Sequence, residues 1–388
     1  MQDQEIQGRK SWVSVIESRA SINDRYRNVR GISPTGGEGT FSLVFAATDL
    51  VTKKRVALKF FNPVKRGDDY RERCFERESK ILASLQGQAD ILQLVEPRTV
   101  FNVELTDSVT GAVVVDQLHF HVTELALSNA KYYIYEEKTT PLRSLTLFRG
   151  MCRAVQRIHA RRICHRDLKP DNFFRVASAD TCLGDFGAAR AFADSEPPLL
   201  PRYDSWRGDR LYTAPELFAA MGDEDENLFY CGDMFSLGAI LFEMFTKNNL
   251  ITLLFDPGFQ LDLLQHFLLI DPLRRREVFG DLVGQIAQQK RLPDIHELSD
   301  SVPNCIRIRL NRLYKGLANL DYRRRTRDFW VIFTEINRCV TILRNEQTYQ
   351  RLRRKWKEWG ERRERRREEV RRRHSGQGDH SDREGDTQ

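Results

Sequence analysis

Short stretches of alternating apolar and polar residues dominate the first third of the chain. The runs FSLVFAATD (41–49), RVALKFF (55–61), RTVFNVELTD (98–107) and AVVVDQLHFHVTEL (112–125) predict strands, the last two joined by a turn at Thr110-Gly111. One helical period interrupts them at 70–85, with Phe75, Ile81, Leu82 and Leu85 on its apolar side. Beyond Pro141 the period becomes helical up to about Leu343, and Leu147, Met151, Val155 and Ile158 form the stripe of a helix buried on one face. The order predicts an α+β architecture of two lobes, a β-rich lobe at 28–124 and an α-rich lobe at 125–345, hinged at Glu124–Ser128. Residues 1 to about 26 are polar and unpatterned, with one short helix around Trp12–Ile16, and 1–27 read as an N-terminal extension. A charged helix is expected at 346–373 and disorder at 374–388.

Composition narrows the classes. A chain of 388 residues with 40% hydrophobic content can bury a sizeable core. Seven scattered cysteines without a CxxC pair argue for reduced thiols in a cytoplasmic protein and against a disulfide framework or a zinc site. The N-terminus carries no secretory pattern, and no run approaches the roughly 20 apolar residues that span a bilayer, the most apolar being LGAILFEMF at 237–245. The formal charge of +7 is located, not spread: residues 353–373 hold 12 Lys/Arg and 5 Asp/Glu, a surplus equal to that of the whole chain. The basicity therefore says little about the lobes, and the tail alone could meet nucleic acid or an anionic surface; interleaved glutamates at i,i+3 and i,i+4 favour a self-paired exposed helix instead.

The candidate chemistry starts in TGGEGTFSLVF, where Gly37 and Gly39 let backbone N–H groups approach phosphate oxygens. A GxG alone is weak. Twenty residues after Gly39, Lys59 sits in the strand VALKF, where a cation is costly to desolvate without an anionic partner, and Glu78 on the next helix is the candidate. For either residue alone, a solvated surface charge is the ordinary fate. The octapeptide HRDLKPDN (165–172) then places an acid, a cation and an amide in one loop directly after a buried helix.

GEGTFSLV, VALK, HRDLKPDN, DFG at 185–187 and APE at 214–216 stand in the order and spacing of the protein-kinase signature, and over about residues 28–345 the chain resembles a eukaryotic-type Ser/Thr protein kinase. The resemblance implies a bilobal kinase fold and an ATP- and Mg2+-dependent transferase acting on protein serine and threonine hydroxyls, with autophosphorylation. It implies that Lys59, held by Glu78, grips the α/β-phosphates, that Asn172 and Asp185 hold magnesium, that Asp167 takes or orients the acceptor hydroxyl's proton, and that Lys169 neutralises the transferring group. By the same resemblance Gly37, Gly39 and Phe41 cover the phosphates, Val44, Ala57 and Phe174 sandwich adenine, Thr123 is the gatekeeper, and the backbone of Glu124 and Ala126 bonds the base edge. His165, Phe186 and Leu82 resemble the packed column between the lobes, Asp233 the buried helix aspartate, and Arg325 the partner of Glu216.

Three positions depart from the family pattern: Ser42 at the third loop glycine, Asp209 where a threonine is common, and Gly184, read as backbone freedom before Asp185. Lys169, two residues after Asp167, is the Ser/Thr-type residue. Arg166 beside Asp167 suggests control by a loop phosphate, with Ser195, Tyr203 and Ser205 as acceptors and Arg202, Arg207 and Arg210 nearby. The alternative is a pseudokinase-like scaffold; loss of Lys59, Asp167 or Asp185 would favour it, and all three are present. A small-molecule phosphotransferase is disfavoured by Glu216 and Arg325.

Overall fold

The computed structural model describes residues 12–32, 42–106, 112–192, 208–218, 226–255 and 290–375, with isolated positions between 258 and 285. Gly37, Gly39 and Phe41, the acceptors Ser195, Tyr203 and Ser205, and Arg202 and Arg207 lie outside the described residues.

Six antiparallel strands make the first lobe: β1 (Ser21–Ile22), β2 (Tyr26–Gly31), β3 (Ser42–Asp49), β4 (Arg55–Phe61), β5 (Leu94–Thr106) and β6 (Val113–Glu124), in the order β1-β2-β3-β4-β6-β5. Period-two burial fixes the register: Ala46 faces Ala57, Ala57 faces Thr123, and Lys59 lies between Val44 and His121. One sheet face packs an aromatic core in which Phe60 stacks on Phe120 at 4.8 Å and meets Phe45 edge-on at 5.7 Å.

That core extends further back than residue 28. Ile16, on a short helix α1 (12–17), and Ile22 and Tyr26 are buried within it. The polar composition of the segment concealed this, because its few apolar residues sit where a turn and two short strands gather them. Arg25 clamps the segment by donating to both oxygens of Asp49, at 2.9 and 3.0 Å, and to Glu96 at 3.0 Å. These bonds to Arg25 hold the Asp49 carboxyl well below the usual carboxylate range.

On the other sheet face lies α2 (Asp69–Ser84), started by the Asp68 carboxylate accepting the Arg71 N–H. Phe75, Ile81 and Leu82 are buried, as their spacing predicts. Ile81, Leu82 and Leu85 belong to the same continuous core as the helices of the second lobe, so α2 joins the two.

The second lobe comprises α3 (Ala130–Tyr135), α4 (Pro141–His159), α5 (Pro215–Phe218), α6 (Glu226–Thr246), α7 (Leu250–Leu254), α8 (Ile295–Leu298), α9 (Arg307–Leu317) and α10 (Phe329–Arg344). Short strands β7 (Ser128–Asn129), β9 (Phe173–Val176) and β10 (Ala179–Leu183) form one small sheet, and β8 (Ile163–Cys164) pairs with β11 (Arg190–Ala191). Leu147, Met151, Val155 and Ile158 of α4 are all buried. Helix α6 is long and apolar enough to cross a membrane, but 89% of its most apolar window is packed inside the lobe. A final helix, α11 (Glu346–Ser375), leaves the lobe with every side chain from 351 to 369 exposed.

Candidate active site

Strand alternation turns Lys59 away from the aromatic core and toward α2. Its Nζ lies 2.7 Å from both oxygens of Glu78 and 2.8 Å from Oδ1 of Asp185, so one cation is shared by two carboxylates. Burial alone would lower the lysine's affinity for its proton, but the charges of Asp185 and Glu78 outweigh it and raise that affinity. The two acids fare unequally. Burial pushes Asp185 up, yet Lys59 more than reverses this and holds its carboxyl at about 2. Glu78, buried more deeply and next to the Asp185 charge, is pushed up to about 7 despite Lys59 and the Phe186 N–H.

The loop 165–172 is anchored from beneath. Asp233 on α6 accepts the backbone N–H groups of His165 and Arg166, each at 2.9 Å, and bonds Nε2 of His159 at 2.9 Å. Arg166 can therefore hold a left-handed conformation, φ 63°, which turns the chain so that Asp167 faces the cleft. A second left-handed residue, Asp185 at φ 58°, aims its carboxylate at Lys59. His165 Nε2 lies 3.0 Å from Gly184 O and its ring 5.1 Å from that of Phe186, which ties the two strained loops together.

Around that frame the expected polar groups converge. Lys169 Nζ is 3.2 Å from Asp167 Oδ2. Asn172 donates its Nδ2 to Asp167 O at 2.8 Å, which orients its amide oxygen as the free acceptor. Burial raises the Asp167 carboxyl above its ordinary value, with Lys169 opposing. For Lys169, burial works against the charge, but Asp167 and Asp209 prevail and its proton affinity is raised. A carboxylate held ionised and partly exposed, Asp185, beside an oriented amide oxygen, Asn172, is a hard-oxygen donor set that suits Mg2+.

The expected base-site positions differ in burial. Ala57 and Thr123 are buried neighbours, while Val44, Glu124, Ala126 and Phe174 are half-buried. The Glu124 N–H is already given to Gln93 O at 3.0 Å, and its carboxylate accepts the Gln93 N–H at 2.9 Å, which pins the hinge to the segment before β5. His121, two residues before Thr123, was not singled out by its sequence. It is fully buried against Phe75 at 4.9 Å, neither ring nitrogen has a partner, and burial with the nearby Lys59 charge pushes its pKa down to about 3. Its alternation with Thr123 on one strand is the only signal that could have marked it.

At the departures from the family pattern the structure supplies physical reasons. Gly184 has no left-handed backbone; a Cβ there would meet Leu92 and Phe174 side chains at 3.0 Å, so close packing, and not backbone freedom, is what disfavours a side chain there. Gly208, at φ +88°, does need its freedom, and a Cβ would stand 2.4 Å from Arg166 O. It delivers the Asp209 N–H to Asp167 Oδ1 at 2.7 Å, while the Asp209 carboxylate lies 3.8 Å from Lys169. Arg166 donates to the carbonyls of Ala188 and Ala189 at 2.7 and 3.3 Å and covers the ring of Phe229 at 5.3 Å. Glu216 and Arg325, 109 residues apart in sequence, form a doubly bonded pair with no exposed side-chain surface, and Arg325 also donates to Cys231 O at 2.9 Å.

With this geometry established, comparison with known proteins is informative. The family model described as the protein kinase domain matches residues 33–266. The chain is 30% identical over 221 residues to the probable serine/threonine-protein kinase MARK-C of Dictyostelium discoideum, covering 56% of this chain and 25% of the relative. It is 32% identical over 220 residues to the serine/threonine-protein kinase fused of Drosophila melanogaster, covering 56% and 24%. Against the serine/threonine-protein kinase PknD of Mycobacterium tuberculosis it is 31% identical over 211 residues, covering 54% and 28%. The chain thus spans about a quarter of the length of these relatives.

Proposed function

This chain belongs to the protein kinase domain family, and from that premise we propose that it transfers the γ-phosphoryl group of ATP to serine and threonine hydroxyls of proteins, its own included. The observation that carries the reading is Lys59 bridging Glu78 and Asp185 at 2.7 and 2.8 Å, directly across from Asp167, Lys169 and Asn172. Phosphoryl transfer asks mainly for position and positive charge, and this arrangement supplies both.

In this reading Lys59 orients the α/β-phosphates. Asp185 and the Asn172 amide oxygen would hold Mg2+, which would supply positive charge to the phosphates. Asp167 accepts the acceptor hydroxyl's proton as its oxygen attacks the γ-phosphorus and the bond to the β-phosphate oxygen breaks, releasing ADP. The raised proton affinity of Asp167 suits it to that task. Lys169 faces the transferring group, and its position two residues after Asp167 supports hydroxyls of serine and threonine as acceptors. Val44, Ala57, Phe174, Thr123 and the backbone of Glu124 and Ala126 would hold the adenine, with Gly37, Gly39 and Phe41 over the phosphates.

The test is purified protein with labelled ATP and a generic acceptor, wild type beside Asp167→Ala. Label in the wild type alone supports transfer. Equal background in both would support the scaffold reading. Mass spectrometry of residues 188–212 after incubation tests loop phosphorylation, and absence of phosphate there removes it.

A further inference from the structure

The glutamates interleaved along α11 are not spread evenly around it. At 3.6 residues per turn, Leu352, Trp356 and Trp359 fall within about 60° of one another around the helix. All three are exposed, by 43%, 62% and 64%. Arg353, Lys355, Arg362, Arg363, Arg366 and Arg367 lie within about 100° of the centre of that stripe, and Glu358, Glu361, Glu364, Glu368 and Glu369 all lie beyond it. The acids thus crowd the far side, where Arg354, Lys357 and Arg365 alternate with them. The near side is two indoles and a leucine bordered by cations and without an acid among them, with the Arg363 guanidinium over the Trp359 ring at 5.5 Å.

We propose that this face of α11 lies on an anionic lipid bilayer, with Trp356, Trp359 and Leu352 in the headgroup boundary and the flanking arginines on lipid phosphates and carboxylates. Indoles are favoured at that boundary because one edge is apolar and the N–H stays wet. Arginine stems bury along the apolar surface while their heads reach outward. A nucleic-acid surface would use the cations and leave Leu352 without a role. The helix emerges directly from α10 of the second lobe, so binding would hold the catalytic cleft near the membrane.

The experiment is co-sedimentation of the full chain with vesicles of phosphatidylcholine alone and of phosphatidylcholine with phosphatidylserine. The expected result is binding to the anionic vesicles only, with a blue shift of tryptophan emission that disappears in Trp356→Ala/Trp359→Ala. At about fivefold per cation near such a surface, Arg363→Gln/Arg366→Gln/Arg367→Gln lowers partitioning about a hundredfold. Arg354→Gln/Lys357→Gln/Arg365→Gln, an equal change of charge on the far side, lowers it far less. No partitioning, equal losses for the two triple variants, or unchanged binding without the indoles would overturn the proposal. Displacement from vesicles by single-stranded RNA, with the tryptophan variant binding that RNA normally, would assign the face to nucleic acid instead.

Discussion

Two buried ion-pair sites in this molecule use similar groups and serve different ends. Glu216 and Arg325 are closed: neither side chain is exposed, the charges match one to one, and the spare guanidinium donor goes to Cys231 O. Lys59, Glu78 and Asp185 are open: one cation faces two acids, and 43% of the Asp185 side chain remains accessible. A matched pair has no capacity left for a ligand and can only hold α5 to the base of the lobe. An acid in excess at the mouth of a cleft has a coordination position to offer, and it leaves the deeper acid, Glu78, short of charge compensation. Surplus and exposure, not burial as such, separate the site that acts from the site that supports.

The difference can be broken hardest at the open site. Asp167→Ala should lower the rate of phosphoryl transfer by about 10²–10⁴-fold, and Lys59→Met by about 10²–10³-fold, both read as initial rates with labelled ATP, the former with a melting temperature close to wild type and the latter with a lowered one because Glu78 and Asp185 lose their cation. At the closed site the order of effects reverses. Glu216→Ala leaves Arg325 buried without its partner and should cost about 3–5 kcal/mol in denaturant unfolding. Glu216→Leu/Arg325→Met should recover much of that loss, since no charge is then stranded.

The unequal acids also carry opposite pH signatures. Glu78 binds its proton more tightly folded, at about 7, than its ordinary 4.5, so its contribution is full below 4.5 and is lost as pH rises through 7. Asp185, held at about 2 against 3.8, contributes above 3.8 and loses that contribution as pH falls toward 2. Unfolding free energies of wild type and Glu78→Gln should therefore diverge between pH 5 and 7 as a consequence of the Glu78 shift, the variant being flatter. A wild-type curve with no slope there would remove the claim that Glu78 is undercompensated. The smallest effect is expected at Asp209. Replacing it with threonine takes a partly exposed acid away from Lys169 and should raise the transfer rate about fivefold, the scale of one screened charge contact.

Much of the site was legible because phosphoryl-transfer groups cluster in short segments whose local geometry does the positioning. HRDLKPDN and the DFG segment sit on turns that need only a few neighbouring residues, so their order along the chain already implied a common cleft. The apolar periods of α2 and α4 were equally readable, since one-sided burial repeats every turn. Less was readable where one residue depends on distant ones. His121 looked like any polar residue in a strand until α2 set Phe75 against it. Tyr135 and Tyr212 both donate hydrogen bonds to Glu243, across 108 and 31 residues, which no spacing announces. The membership of residues 12–27 in the first lobe was hidden because Ile16, Ile22 and Tyr26 become a pattern only when a turn folds them onto the sheet.

The sequence by itself determined which chemical groups are present and which of them share a loop, because peptide geometry links residues a few positions apart directly. It also determined that the net charge belongs to the last helix. Tertiary structure alone decided which of the two acids keeps the Lys59 charge, and that a side chain at Gly184 would crowd Leu92 and Phe174. Those outcomes depend on desolvation and on distances across elements, which are properties of packed space and have no counterpart along a chain.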